Sequence, residues 1–194
     1  VPMGANIDGF ENDLENYINN NSKIACVSSG TAAIHIALKL AGVKRNDEVI
    51  CQSFTFAASA NPIMYLGANP IFIDSEIDTW NMCPIALEEA IKDGVSKGKK
   101  PKAIIVVHLY GMPAKMDTIV SISKKYNIIL IEDAAESLGS SIKNNKCGSF
   151  GDFAILSFNG NKIITTSGGG ALICRTTDQK NKAIFYATQA KDNA

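Results

Sequence analysis

The sequence predicts an α/β fold: a mostly parallel mixed sheet covered by helices on both faces. Three observations predict it. Helical and strand-like segments alternate along nearly all of the 194 residues, the rhythm of strand–helix–strand crossovers. The runs Ala103-Ile-Ile-Val-Val-His108 and Ile128-Ile-Leu-Ile-Glu-Asp133 are continuously apolar until their ends, the mark of strands buried on both faces. Near the end, residues 153–158 and 170–174 are joined by a Gly-rich loop too short for a crossover helix. Those two strands are expected to be antiparallel.

Taken in order, residues 10–18 have helical spacing and lead into the short strand-like run Ile24-Ala-Cys-Val-Ser28. A helix at 31–41 and a strand at 48–52 follow, then a helix at 57–66 and a strand at 70–74. Residues 85–91 are helical again, the apolar run 103–108 is a strand, and helix 116–125 leads to the strand 128–133. The antiparallel pair comes next, and a polar helix near 182–189 closes the pattern. There is no internal repeat, and no composition break marks a second domain. Residues 1–194 are expected to be one domain, incomplete at both ends. Residues 1–10 carry no initiator Met and run straight into a helical pattern, which suggests sequence missing on that side.

Composition excludes several classes. An apolar share of 46% with 20% charged residues is ordinary globular usage. Nineteen basic residues balance nineteen acidic ones, and no basic stripe offers an electrostatic footprint for nucleic acid. The cluster Lys97, Lys99, Lys100 and Lys102 lies beside Gly98 and Pro101 and reads as a solvated loop. No apolar run reaches the roughly 18 residues of a membrane span, and no signal peptide opens the chain. Cys26, Cys51, Cys83, Cys147 and Cys174 are scattered singly, without C-x2-C spacing. Reduced thiols in a cytoplasmic protein are the expectation, with no metal site.

In open α/β sheets, ligands sit beyond the carboxyl ends of the strands. The residues to read are therefore 28–31, 53–56, His108, 133–136 and 157–162. Ser28-Ser-Gly-Thr-Ala-Ala33 joins a strand to a helix. Gly30 lets the backbone approach a ligand, and the N–H groups of Thr31 and Ala32 with the Thr31 hydroxyl make an anion cradle. Simple capping by Ser29 or Thr31 fits the same residues. Neither standard nucleotide fingerprint is present, so a phosphate here would belong to another cofactor. Glu132-Asp133-Ala-Ala-Glu136 ends the most apolar strand, where a carboxylate needs a cation or a donor. A protonated pyridine nitrogen is one such partner, and a turn-capping Asp is the alternative. In Ser157-Phe-Asn-Gly-Asn-Lys162, a lysine follows a strand among apolar and small residues, a setting that suits an amine nucleophile. A solvated loop lysine is the other reading.

The cradle, then the Asp, then the lysine is the chain order of fold-type I pyridoxal-phosphate (PLP) enzymes. Five stretches resemble the DegT/StrS-type sugar-nucleotide aminotransferases: residues 28–33, Ser53-Phe-Thr-Phe-Ala-Ala-Ser59, His108-Leu-Tyr-Gly-Met-Pro-Ala114 with Met116-Asp117, Glu132-Asp-Ala-Ala135, and 157–170. They run in family order over nearly the whole chain. The resemblance implies the PLP-transferase large domain, without the small C-terminal domain of relatives about twice as long. It also implies PLP as cofactor, a homodimer, a nucleotide-sugar substrate and an amino-acid donor. Lys162 matches the Schiff-base lysine that also shuttles the proton, and Asp133 the partner of the pyridine nitrogen. Phe56 matches the aromatic on the ring face, with core packing as its plain alternative. Gly30, Thr31, Ala32 and Ser157 match the phosphate contacts. Glu136 stands where many relatives carry Gln or His near the phenolic oxygen, so a carboxylate there needs a proton or another orientation. His108 reads as a structural hydrogen-bonding residue, and His35 as a packed or exposed helix residue. A sister dehydratase class carries His in place of the lysine, and a non-catalytic regulatory homologue would keep the fold. Lys162 speaks against the first, and the complete Thr31, Asp133, Lys162 set against the second. The arginines, Arg45 and Arg175, are expected far from the site.

Overall fold

The computed structural model describes residues 4–19 and 21–190. Residues 1–3, part of the segment read as an interrupted start, lie outside the described ones. In chain order come α1 (Ala5–Ile18), β1 (Lys23–Val27), α2 (Gly30–Leu40), β2 (Glu48–Gln52), α3 (Asn61–Tyr65) and β3 (Asn69–Ile73). Then follow α4 (Pro84–Ser96), β4 (Ala103–Val107), α5 (Met116–Tyr126) and β5 (Ile129–Asp133). The last are β6 (Ser141–Ile142), β7 (Asn145–Lys146), β8 (Phe153–Ser157), β9 (Gly170–Cys174) and α6 (Thr177–Ala187).

The main sheet has the strand order β1-β9-β8-β5-β4-β2-β3. Neighbours from β8 to β3 are parallel, while β9 is antiparallel to both β8 and β1. All but β9 therefore point the same way, and their carboxyl ends share one edge of the sheet. All five residues of β4 are buried, as its unbroken apolar run predicts. Alternate strand residues serve opposite faces. Ile105, Ile131, Ile155 and Leu172 pack with Ile34 and Leu38 of α2, Ile63 of α3 and Ala183 of α6. On the other face, Ile104, Val106 and Leu130 pack with Leu87 and Ile91 of α4 and Ile119 and Ile122 of α5. Leu14 and Ile18 of α1 cover Ile24, Leu156 and Ile173 on that second face. Helices thus cover both faces, as expected.

α1 starts at Ala5 rather than 10 and α4 runs to Ser96 rather than 91, and three further details differ from the expected elements. The helix expected at 57–66 divides into a 3-10 turn, Ala57–Ser59, and the short α3. Pro62 is the reason: it lacks an N–H and fits only the first turn of a helix. The last helix starts at Thr177 rather than near 182, because Thr176 and Gln179 form a reciprocal cap. The hairpin β6–β7 was not expected; its turn residues Lys143 and Asn144 have φ of 48° and 68°, the twist that two-residue hairpins require. No helix among the described residues is long and apolar enough to cross a membrane. The five cysteines are free thiols. Burial pushes Cys51 and Cys174 up to about 12, which marks them as packing residues rather than nucleophiles.

Candidate active site

The shared carboxyl edge of the strands opens into a cleft of about 330 Å³, inside the roughly 300–1,000 Å³ range of small-molecule sites. Gly30, Thr31, Phe56, Asp133, Glu136, Ser157 and Lys162 all line it. The β/α topology brings them together: each follows or ends a strand, and the strand ends converge.

One wall is the start of α2. Ser29 caps that helix, its Oγ accepting the Ala32 N–H at 3.1 Å. The expectation that Ala32 offers a free N–H is thereby corrected, since the N-cap side chain takes that one of the first turn's donors. Ala32 also lies outside the cleft lining. The packing is close. A Cβ on Gly30 would stand 3.2 Å from the Ser157 Cβ, so the absence of that carbon sets the Ser157 hydroxyl beside the helix start. A Cβ on Gly170 would stand 2.4 Å from the Ser29 carbonyl carbon and 2.5 Å from the Gly30 nitrogen. Gly170→Ala must push the cradle aside, and overpacking of this kind costs about 1–3 kcal/mol. Its expected result is a lower urea midpoint and at least tenfold weaker binding of phosphate-bearing cofactor, read by equilibrium dialysis.

Asp133 forms the floor and is only 5% exposed. Its Oδ2 accepts the Ser59 hydroxyl at 2.8 Å, and its Oδ1 accepts the Ala135 N–H at 3.2 Å. Burial pushes the carboxyl above its usual range, against the opposing pull of Ser59, Ala135 and the Lys162 charge. Thr55 Oγ1 lies 2.8 Å from Ser59 Oγ. No role is expected for Ser59 from the sequence alone; its spacing of four from Thr55 is the available signal.

Lys162 sits in the loop joining β8 to β9. Phe158 fixes that loop, donating its N–H to Gly169 and accepting the Thr166 N–H at 3.0 Å each. The side chain of Lys162 is 13% exposed, and its Nζ donates to Glu136 Oε1 at 3.0 Å. Glu136 Oε2 accepts the Tyr110 N–H at 2.9 Å. The carboxylate that looked out of place thus has partners: the lysine ammonium and a backbone donor. The surface-lysine alternative does not hold. Core packing does not describe Phe56 either, because the ring is 76% exposed at the cleft.

Behind Asp133, Glu132 is completely buried. Its carboxylate accepts His108 Nε2 at 2.9 Å, Phe150 N–H at 2.9 Å, Gly151 N–H at 3.2 Å and also Gly148 N–H. Burial alone would raise its carboxyl, but His108 and the Gly148 and Phe150 amides outweigh it and hold it below the usual range. His108 Nδ1 accepts the Ala114 N–H at 3.0 Å, which leaves the ring proton on Nε2, facing Glu132. His108 is structural, as expected. Cys147 completes a buried group whose ligand-type atoms lie within 4.8 Å of one another. Protein donors and acceptors already take both His108 nitrogens and both Glu132 oxygens, so the group is a hydrogen-bond core. Neither arginine lines the cleft: Arg175 bonds the Gly151 carbonyl at 2.8 Å and reaches Ser22 at 3.5 Å, and Arg45 packs near Gly67.

The sequence model of the DegT/DnrJ/EryC1/StrS aminotransferase family matches residues 1–193. The chain belongs to that family. It is 54% identical over 194 residues to the putative pyridoxal phosphate-dependent aminotransferase EpsN of Bacillus subtilis (strain 168), covering all of this chain and 50% of EpsN. Against GDP-perosamine synthase of Escherichia coli O157:H7 it is 40% identical over 186 residues, 96% of this chain and 49% of that protein. The crystal structure of a DegT DnrJ EryC1 StrS aminotransferase from Brucella abortus superposes with a TM-score of 0.90 at 32% identity, over 94% of this chain and 49% of that one. The chain spans about half the length of the curated relatives it matches. The family's fold and cofactor agree with what the sequence implied: a PLP-transferase large domain and pyridoxal phosphate.

The cleft fits that cofactor. The α2 start and Ser157 suit a phosphate, Asp133 is a buried carboxylate in need of a cationic partner, and Lys162 presents an amine to the same space.

Proposed function

We propose that residues 1–194 are the cofactor-binding large domain of a longer PLP-dependent aminotransferase. It moves an amino group from an amino acid, glutamate in our reading, to a nucleotide-linked keto-deoxy-sugar for bacterial cell-surface glycans. The observation that carries this reading is the meeting of the Lys162 amine, the Asp133 carboxylate and the α2 N-terminus in one cleft. A relative named GDP-perosamine synthase supports the sugar-nucleotide acceptor. Lys162, where a sister dehydratase class has His, favours amino transfer over dehydration.

The roles of the chain's own residues follow from their places. Gly30, Thr31 and Ser157 hold the phosphate at the helix start, and Phe56 covers one face of the ring. Asp133 keeps a proton on the ring nitrogen by charge pairing. When bound, pyridoxal phosphate supplies the electron sink for the reaction. With the cofactor bound, the Lys162 amine would carry a proton between the substrate carbon and the cofactor carbon on either side of the transferred nitrogen, a distance its four-carbon stem can sweep. Glu136 receives the lysine ammonium when that amine is free. In this reading the enzyme is a cytoplasmic homodimer without nucleic-acid or membrane partners. Because Arg45 and Arg175 lie away from the cleft, groups outside residues 1–194 grip the substrate's carboxylate and diphosphate. That remote binding energy positions the reacting carbon.

The test compares the protein at its relatives' length with residues 1–194 alone, each given PLP, glutamate and keto-sugar nucleotides. Amino-sugar nucleotide is expected from the long form only. Turnover by residues 1–194 alone would show that the substrate site is misplaced; no turnover by the long form with any keto-sugar nucleotide would refute the acceptor class.

A further inference from the structure

We infer that Ser59, backed by Thr55, is a positioning residue that aims the Asp133 carboxylate and keeps it ionised for the ring nitrogen. The inference rests on the reading of the cleft as a PLP site. Ser59 is 1% exposed and has one proton. That proton goes to Asp133 Oδ2 at 2.8 Å, since an ionised carboxylate can only accept. The 2.8 Å contact between Thr55 and Ser59 must then be donated by Thr55. The chain of donors runs Thr55 to Ser59 to Asp133, from the segment after β2 to the end of β5, and each bond polarises the next.

Geometry gives the relay its effect. Asp133 has few donors: Ser59 on one oxygen and Ala135 N–H, at a longer 3.2 Å, on the other. The titratable and charged groups that face it are Lys162, from the loop after β8, and His108, from the end of β4. Lys162 is engaged by Glu136, and the His108 proton faces Glu132. The hydroxyl relay is therefore the direct side-chain support of a carboxylate that burial drives toward protonation. It also ties down one oxygen and fixes the plane of the group, so the other oxygen edge can meet the ring nitrogen.

The test uses Ser59→Ala and Thr55→Val in the PLP-loaded protein at its relatives' length. Readouts are the pH profile of kcat/KM, the pH dependence of the visible cofactor band, and PLP affinity by dialysis. A hydrogen bond to a charged group is worth roughly one to two pH units when expressed as a pKa change. Ser59→Ala should move the acid limb of both pH curves upward by about one unit and weaken PLP binding about tenfold. Thr55→Val, on the cleft wall, should move them the same way by less, and it decides the matter if Ser59→Ala does not fold. In an Asp133→Asn background, Ser59→Ala should shift neither curve further. Unchanged acid limbs and band titration in the folded variants would overturn the relay. Wild-type protein with no visible band after PLP addition would instead refute the cofactor reading, and the relay with it.

Discussion

Asp133→Asn is expected to leave the cofactor-free protein at least as stable as wild type while cutting turnover about 10²–10³-fold, the loss typical of one preorganised electrostatic partner. Both halves come from burial. Asp133 is 5% exposed, and desolvation raises its carboxyl in the folded state. A raised folded value means that the folded state favours the protonated group. Its stabilising contribution is present below the unfolded Asp value, about 3.9, and is lost as pH rises through the folded value. At neutral pH the ionised Asp133 therefore opposes folding when the cleft is empty. Asparagine removes that charge and keeps the volume; its one oxygen can accept the Ala135 N–H while its NH2 donates to a Ser59 hydroxyl turned toward Thr55. It cannot hold a ring-nitrogen proton by charge pairing. Thermal melts of the cofactor-free proteins, with steady-state rates of the loaded ones, check the two halves separately. Near-normal turnover in folded Asp133→Asn would remove this carboxylate from the mechanism.

Glu132→Gln, one residue away, is expected to do the reverse: lose about 3–5 kcal/mol of stability, as breaking a fully buried charged network does. Glu132 accepts four donors, from His108, Gly148, Phe150 and Gly151. An amide turns one acceptor oxygen into a donor that faces other donors, leaving them unsatisfied in the interior. Against a total stability of about 5–15 kcal/mol, that loss is large. The pH dependence has a definite sign. Glu132 is held below its ordinary value, so its contribution is present above about pH 4.3 and is lost as pH falls below it. Urea midpoints at pH 7 and near pH 4 should therefore differ more in wild type than in Glu132→Gln. Equal midpoints for the two proteins at pH 7 would refute the anchoring role.

These neighbours show what the sequence makes legible and what it hides. Buried strands are legible because an unbroken apolar run has few other uses, and β4 and β5 lie within one residue of their expected bounds. The strand ends then bring the predicted residues to one edge, because a parallel sheet leaves its loops no other place. Gly30, Thr31, Phe56, Asp133, Glu136, Ser157 and Lys162 meet there, and Ala32 alone of the expected set does not. Partners between distant segments are what a single sequence hides. Glu132 and Asp133 look alike in the chain, yet one points to His108 and the 148–151 loop while the other meets Ser59. Ser59 itself lies 74 residues from its partner, in a stretch whose helix Pro62 interrupts. Glu136 looked like a misfit until Lys162, 26 residues away, supplied its counter-charge.

In the proposed function, the cleft at the strand ends holds PLP on Lys162. Borohydride reduction of the PLP-loaded protein, followed by proteolysis and peptide mass mapping, tests it most directly. The pyridoxyl mass should fall on Lys162 in the segment between β8 and β9, and be lost with Lys162→Ala. A stoichiometric label on any other lysine, with Lys162 unmodified, would remove Lys162 from the site.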